Sequence, residues 1–170
     1  NKKVLFLLFS LMFWFQIRML YIAKSEEVSS TLIVISEVYP DPWSGREYVE
    51  IYNKGDKTVD ITGFTIYDVS SPDVGSCDKQ TILFSLHGEI LPNQWILLPL
   101  SSSRLNNNGD RVILKDNNEF ILDEISYGVC GTIVNKKGYT IGRKDESVSD
   151  LSILSPTPGG KNYLLDIAEI

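Results

Sequence analysis

Glu47-Tyr48-Val49-Glu50-Ile51-Tyr52-Asn53, followed by Val59-Asp60-Ile61-Thr62-Gly63-Phe64-Thr65-Ile66-Tyr67-Asp68, decides the reading of this chain. Apolar and polar residues alternate in both runs. The Lys54-Gly55-Asp56-Lys57 stretch between them has turn composition, so the whole reads as strand, turn, strand. Alternation places Val49 and Ile51 on one face of their strand, and Tyr48, Glu50 and Tyr52 on the other. One sheet face then packs inward and the other remains amphipathic.

The same signals recur outward from this stretch. Thr31 to Val38 is rich in β-branched residues, and Pro40-Asp41-Pro42 with Ser44-Gly45 makes a loop, because proline cannot donate within a ladder. Thr81 to Leu86, Trp95 to Leu98, Arg111 to Lys115, Glu119 to Ser126 and Tyr139 to Arg143 read as further strands. The Asn106-Asn107-Asn108-Gly109-Asp110 turn and the Asp116-Asn117-Asn118 hairpin signal separate some of them. Tyr139 to Arg143 reads as the last strand, with Thr157-Pro158-Gly159-Gly160 as the stop. No segment after Lys24 sustains helical periodicity over a usual helix length, so the chain is expected to be all-β, a sandwich or barrel.

The first 23 residues differ in kind. Lys2 and Lys3 precede the apolar run Val4 to Phe15, as in a secretory signal, and Met19 to Ala23 is apolar again beyond Gln16 and Arg18. A retained anchor would have to bury Arg18 or hold it near the membrane interface, at a cost of roughly 2.5–3.5 kcal/mol at the bilayer centre. Cleaved signal and anchor both remain open, and both imply export. Residues 24–30 read as a linker, 31–163 as the globular domain and 164–170 as a tail. The Ile167-Ala168-Glu169-Ile170 tetrapeptide is similar to Ile35-Ser36-Glu37-Val38, a hint of a second copy. A start at Asn1 and a stop inside an apolar run read as the edges of a fragment.

The chain has 170 residues and a formal net charge of −6. Its first thirty residues hold four basic and two acidic groups, so the remainder carries −8. Such a body repels a phosphate backbone, and no nucleic-acid partner is expected for it. Cys77 and Cys130 are the two cysteines. Export permits a disulfide between them, while two separate thiols remain the alternative.

Few residues suggest chemistry. His87, the single histidine, stands at the end of a predicted strand and reads as a turn residue. One histidine and two scattered cysteines do not make a zinc site. Asp123 and Glu124 point to opposite faces and cannot act as a facing carboxylate pair. Asp68, Asp73 and Asp78 are candidates for calcium, with solvated loop acids as the plainer reading. Glu50, between apolar neighbours, calls for a cationic partner if it is buried, and Arg143 is the candidate; an exposed Glu50 is the alternative. Trp43, in the proline-rich loop, is a candidate binding aromatic for a sugar or a protein, unless it tucks over the sandwich end. No catalytic residue, metal site or cofactor motif is assigned.

The order of motifs resembles the lamin tail domain, in the form found in exported microbial proteins. The matching pieces are Ile35-Ser36-Glu37-Val38-Tyr39-Pro40, the two runs above, Leu91-Pro92-Asn93-Gln94-Trp95, Asn108-Gly109-Asp110-Arg111-Val112-Ile113-Leu114, Asp123-Glu124-Ile125-Ser126-Tyr127-Gly128, Arg143 and Thr157-Pro158-Gly159-Gly160-Lys161-Asn162. The resemblance implies an immunoglobulin-like β-sandwich of two antiparallel sheets that serves as an interaction or accessory module without catalytic residues. In nuclear lamins the domain binds protein partners and nucleic acid, a role this chain lacks the coiled-coil rod for. The expected function is a non-catalytic, secreted or membrane-anchored module that binds a protein or cell-surface polymer. The alternatives are an accessory domain of an exported hydrolase or nuclease and a carbohydrate-binding module.

Overall fold

The computed structural model describes residues 32–70, 77–145 and 150–163. The leader 1–23, the linker 24–30, Asp73 and the tail 164–170 lie outside them. Among the described residues the regular elements are strands and one short 3-10 turn at Gly128–Cys130. In chain order the strands are β1 (Ile33–Tyr39), β2 (Tyr48–Asn53), β3 (Val59–Asp60), β4 (Thr65–Ser70), β5 (Lys79–Ser85) and β6 (Glu89–Ile90). They continue with β7 (Trp95–Pro99), β8 (Arg111–Lys115), β9 (Ile121–Ser126), β10 (Thr140–Arg143) and β11 (Leu151–Leu154).

Two antiparallel sheets build the sandwich. One has the order β11-β10-β1-β2-β7 and the other β5-β4-β8-β9, with β3 and β6 as a small separate pair. Every-other-residue spacing sets the interior. Ile33, Ile35, Val38, Val49, Ile51 and Ile141 from the first sheet meet Ile66, Val112, Leu114 and Ile125 from the second. Fully burying each such side chain stabilises the fold by about 1.5–3 kcal/mol relative to exposure.

The deciding stretch does not close on itself as a hairpin. β2 pairs with β1 and β7, whereas β3 pairs with β6. Asn53 makes the exit: its buried amide donates to Lys57 O at 2.8 Å and Ile90 O at 3.0 Å, and its Oδ1 accepts Gly55 N–H. The run Val59 to Asp68, read as one strand, is broken. Phe64 N–H turns back to Ile61 O at 3.0 Å, and Gly63 takes a positive φ of 85° that permits the turn.

Two further readings are corrected. Tyr139 to Arg143 is not the last strand, because β11 pairs with β10 along its full length. Nor does Glu50 lie exposed on a solvated face: all six residues of β2 are buried. The segment after β11 crosses the face that carries Glu50. Thr157 bonds the Glu37 carboxylate, Gly159 N–H donates to Glu50 Oε2, and Asn162 Nδ2 donates to Ser36 O at 3.0 Å and Arg143 O at 2.9 Å.

Candidate functional site

Glu37 and Glu50 stand directly opposite each other on β1 and β2, both fully buried. Two adjacent buried carboxylates persist only when donors surround them. Tyr48 Oη donates to Glu37 Oε2 at 2.5 Å and Thr140 Oγ1 to Glu37 Oε1 at 2.7 Å, with the Thr157 and Gly159 bonds completing the cradle. Burial raises the Glu37 pKa against these hydrogen bonds. Burial also raises the Tyr48 phenol, followed by the Glu37 charge. This is a structural lock that clamps the C-terminal segment onto the sheet.

Arg143 does not pair with Glu50. The reason is parity: Glu50 sits opposite Glu37, Glu37 sits opposite Gly142, and Arg143 is one residue further, on the inner face. There its guanidinium meets Asp123 of the second sheet at 2.7 Å, and the two side chains are only 10% and 12% exposed. Arg143 Nη1 also donates to Ile35 O at 2.6 Å, and Asp123 Oδ2 accepts Ile35 N–H at 2.7 Å. The pair therefore satisfies both polar groups of the Ile35 peptide edge beside the bulge at Ser36, and it joins the sheets. Burial raises the Asp123 pKa, with Arg143 acting against it. Glu124, the next residue, faces outward and pairs with Arg111.

A second acidic group closes one end of the core. Asp68 projects inward from β4 and is almost wholly buried against Asp110, which precedes β8. Asp78 is exposed, and among the described residues no group of three or more Cys, His, Asp or Glu side chains is placed to hold a metal. Asp68 is thus not a solvated loop acid, and Asp73 of the calcium reading lies outside the described residues. Asp110 lies near enough that its charge disfavours ionisation of Asp68. Burial, then the Asp110 charge, pushes the Asp68 carboxyl up to about 7, opposed by Arg104, and burial also raises Asp110.

The sign for stability follows directly. A carboxyl whose pKa is raised on folding binds more protons folded than unfolded, so stability falls as pH rises from about 4, the unfolded pKa, through the folded value near 7. Asp68→Asn keeps the side chain's shape and removes the titration. Relative to the parent, the variant is expected to gain on the order of 2 kcal/mol at pH 8 and nothing at pH 4. Urea midpoints at the two pH values check this; an equal shift at both would contradict the raised Asp68 carboxyl.

Above this pair lies an open cleft of ≈ 780 Å³, lined by residues 40–45, Glu47 and residues 103–108. Its floor is tightly held. Glu47 Oε2 accepts the N–H groups of Arg104 and Leu105 at 2.7 and 2.9 Å, and Asp110 Oδ2 accepts Asn106 N–H at 2.6 Å. Tyr127 Oη donates to Asn106 O, and Val129 N–H to Asn108 O. Gly109 and Gly128 let the two backbones cross: a Cβ on Gly109 would lie 2.2 Å from Val129 N. Trp43 stands on the rim, 72% exposed, and is not tucked over the sandwich end.

Cys77 and Cys130 form a disulfide, with Cα atoms 5.7 Å apart, tying the start of β5 to the 3-10 turn after β9. His87 is exposed in the β5–β6 turn, between Leu86 and Gly88, whose backbones bond to residues 61–64. Sequence reasoning named Cys77, Cys130 and Trp43 but left the disulfide and the exposure of Trp43 open, and it missed the role of Asp123 and the Asp68–Asp110 pair. The opposite-face argument for Asp123 and Glu124 held the signal for the first: one of the two had to point inward and find a cation.

The fold is an immunoglobulin-like sandwich of two antiparallel sheets with a loop cleft at one end. A family model described as Lamin Tail Domain matches residues 27–129, and the chain belongs to the lamin tail domain family. The match stops before β10, β11 and the segment across Glu37 and Glu50, although these complete the first sheet. No curated protein matches the chain.

Proposed function

We propose that this protein is a non-catalytic, extracytoplasmic interaction module of lamin tail type that binds a protein or cell-surface polymer through its loop cleft. The observation that carries the reading is Trp43, a large aromatic left exposed on a loop whose base is rigidly bonded to the sandwich. Aromatic anchors on loops positioned by a rigid scaffold are the usual contact elements of binding modules. The disulfide supports an oxidising compartment, as does the basic and apolar leader, which would engage the membrane during export. The buried carboxylates are occupied in holding the fold, which supports a module without chemistry of its own. The net negative charge argues against nucleic acid as the partner.

Protease added to intact cells that express the epitope-tagged full chain tests the location. Digestion of the tag, together with Cys77 and Cys130 resistant to alkylation before reduction, is the expected result. A tag protected until lysis, with both thiols freely alkylated, would remove the extracytoplasmic reading.

A further inference from the structure

We propose that the Trp43 cleft binds a neutral oligosaccharide chain. This rests on the reading of the protein as an extracytoplasmic interaction module and names the class of polymer it holds. Trp43 is held in place at the cleft rim. Its indole is exposed yet anchored: Pro40 and Pro42 restrict the loop, and Gly138 N–H donates to Asp41 O at 2.7 Å. The indole rests against Gly138 so closely that a Cβ there would fall 1.8 Å from Trp43 Nε1. The Lys137 ammonium lies 5.4 Å from the ring centroid. An aromatic platform held this way loses little freedom on binding.

Trp43 stands among polar side chains. An indole offers a flat apolar surface that suits the C–H face of a pyranose ring, while the ring hydroxyls need donors and acceptors around it. Asp41, Ser44, Arg104, Asn107 and Asn108 line the same cleft and supply both. Asn107 and Asn108 have their backbone carbonyls engaged by Asn135 Nδ2 at 3.1 Å and Val129 N–H at 3.0 Å, so the loop that carries their exposed side chains is fixed. Asp41 and Glu47 stand with Arg104, so the cleft has no single sign of charge and favours a neutral ligand over a polyanion. The lining is polar, whereas an anchor residue from a protein partner seeks an apolar, desolvated pocket. The cleft is open, which suits the passage of an extended chain.

Isothermal titration of the purified full chain with neutral hexaoses of β-glucan, α-glucan, xylan, mannan and chitin tests the proposal. Binding of at least one is expected. Trp43→Ala should weaken it tenfold or more, Trp43→Tyr should restore most of it, and thermal melts should show all three proteins folded. Absence of heat with every hexaose, or equal affinity for the parent and Trp43→Ala, would overturn the assignment. So would competition for Trp43 by a peptide ligand with no competing sugar. These results leave the protease experiment on location untouched, so the two readings fail separately.

Discussion

Replacing Arg143 by methionine is expected to destabilise the fold by about 3–5 kcal/mol, the usual consequence of removing one partner from a buried ion pair. Methionine fills much of the same volume, so the loss comes from electrostatics rather than from a cavity. Asp123 would be left buried with its charge uncompensated, and Ile35 O would lose its donor. The loss has a pH signature. Burial already raises the Asp123 pKa and Arg143 opposes that rise, so without the guanidinium the carboxyl titrates higher still. The variant should therefore lose more stability at pH 8 than at pH 5. Removing both charges, in Arg143→Met with Asp123→Leu, should recover a substantial part of the loss. Denaturant midpoints at the two pH values measure all of this. A loss under about 0.5 kcal/mol, typical of a surface change, would show that the pair does not join the sheets.

Opening the Cys77–Cys130 disulfide should cost a comparable amount. The cysteines are separated by 53 positions. Loop-closure entropy for a crosslink of that span amounts to about 4 kcal/mol at room temperature. The bond joins the beginning of β5, at the edge of the second sheet, to the turn after β9 at its other edge, so it spans that sheet in space as well as in sequence. Cys77→Ser with Cys130→Ser, compared with the parent under oxidising conditions, should show the loss. The parent in reductant should match the double variant. A midpoint unchanged by reductant would mean that the crosslink contributes nothing, and the argument for an oxidising compartment would weaken with it.

Much of the fold was legible because a strand declares itself locally. Alternation in β2, the β-branched run of β1 and the asparagine turn between β8 and β9 each act within a few residues. The hairpin shows this well: Asp116 Oδ1 accepts the N–H groups of Asn118 and Phe120, a bond set contained within five residues. β11 was missed because Leu151–Leu154 is short, and its identity as a strand comes from pairing with β10 rather than from its own pattern. Likewise β3 and β4 read as one run, since Ile61 and Phe64 continue the apolar character across a turn made by backbone bonds.

The candidate site was less legible, because its residues come from loops that are distant in sequence. Trp43 was noticed for its setting among prolines. Its seat on Gly138 and its neighbours Arg104, Asn107 and Asn108 come together only when two loops and the β10 approach meet at one end of the sandwich. The Glu50 reading shows the limit most clearly. A buried glutamate between apolar residues did need partners, and it has them. One of them is Gly159 N–H of the C-terminal segment, and the nearest plausible cation is not among them, because strand register places Arg143 on the opposite face.

Alternation in the chain was enough to establish an all-β fold with side chains sorted by every-other-residue spacing, since that pattern is local and periodic, and the family resemblance narrowed it to two antiparallel sheets. Which buried charges meet, whether Cys77 and Cys130 bond and what surrounds Trp43 are settled only in three dimensions. Those outcomes depend on register and on the packing of one sheet over the other, and a shift of one residue in a strand reverses the face of every side chain it carries.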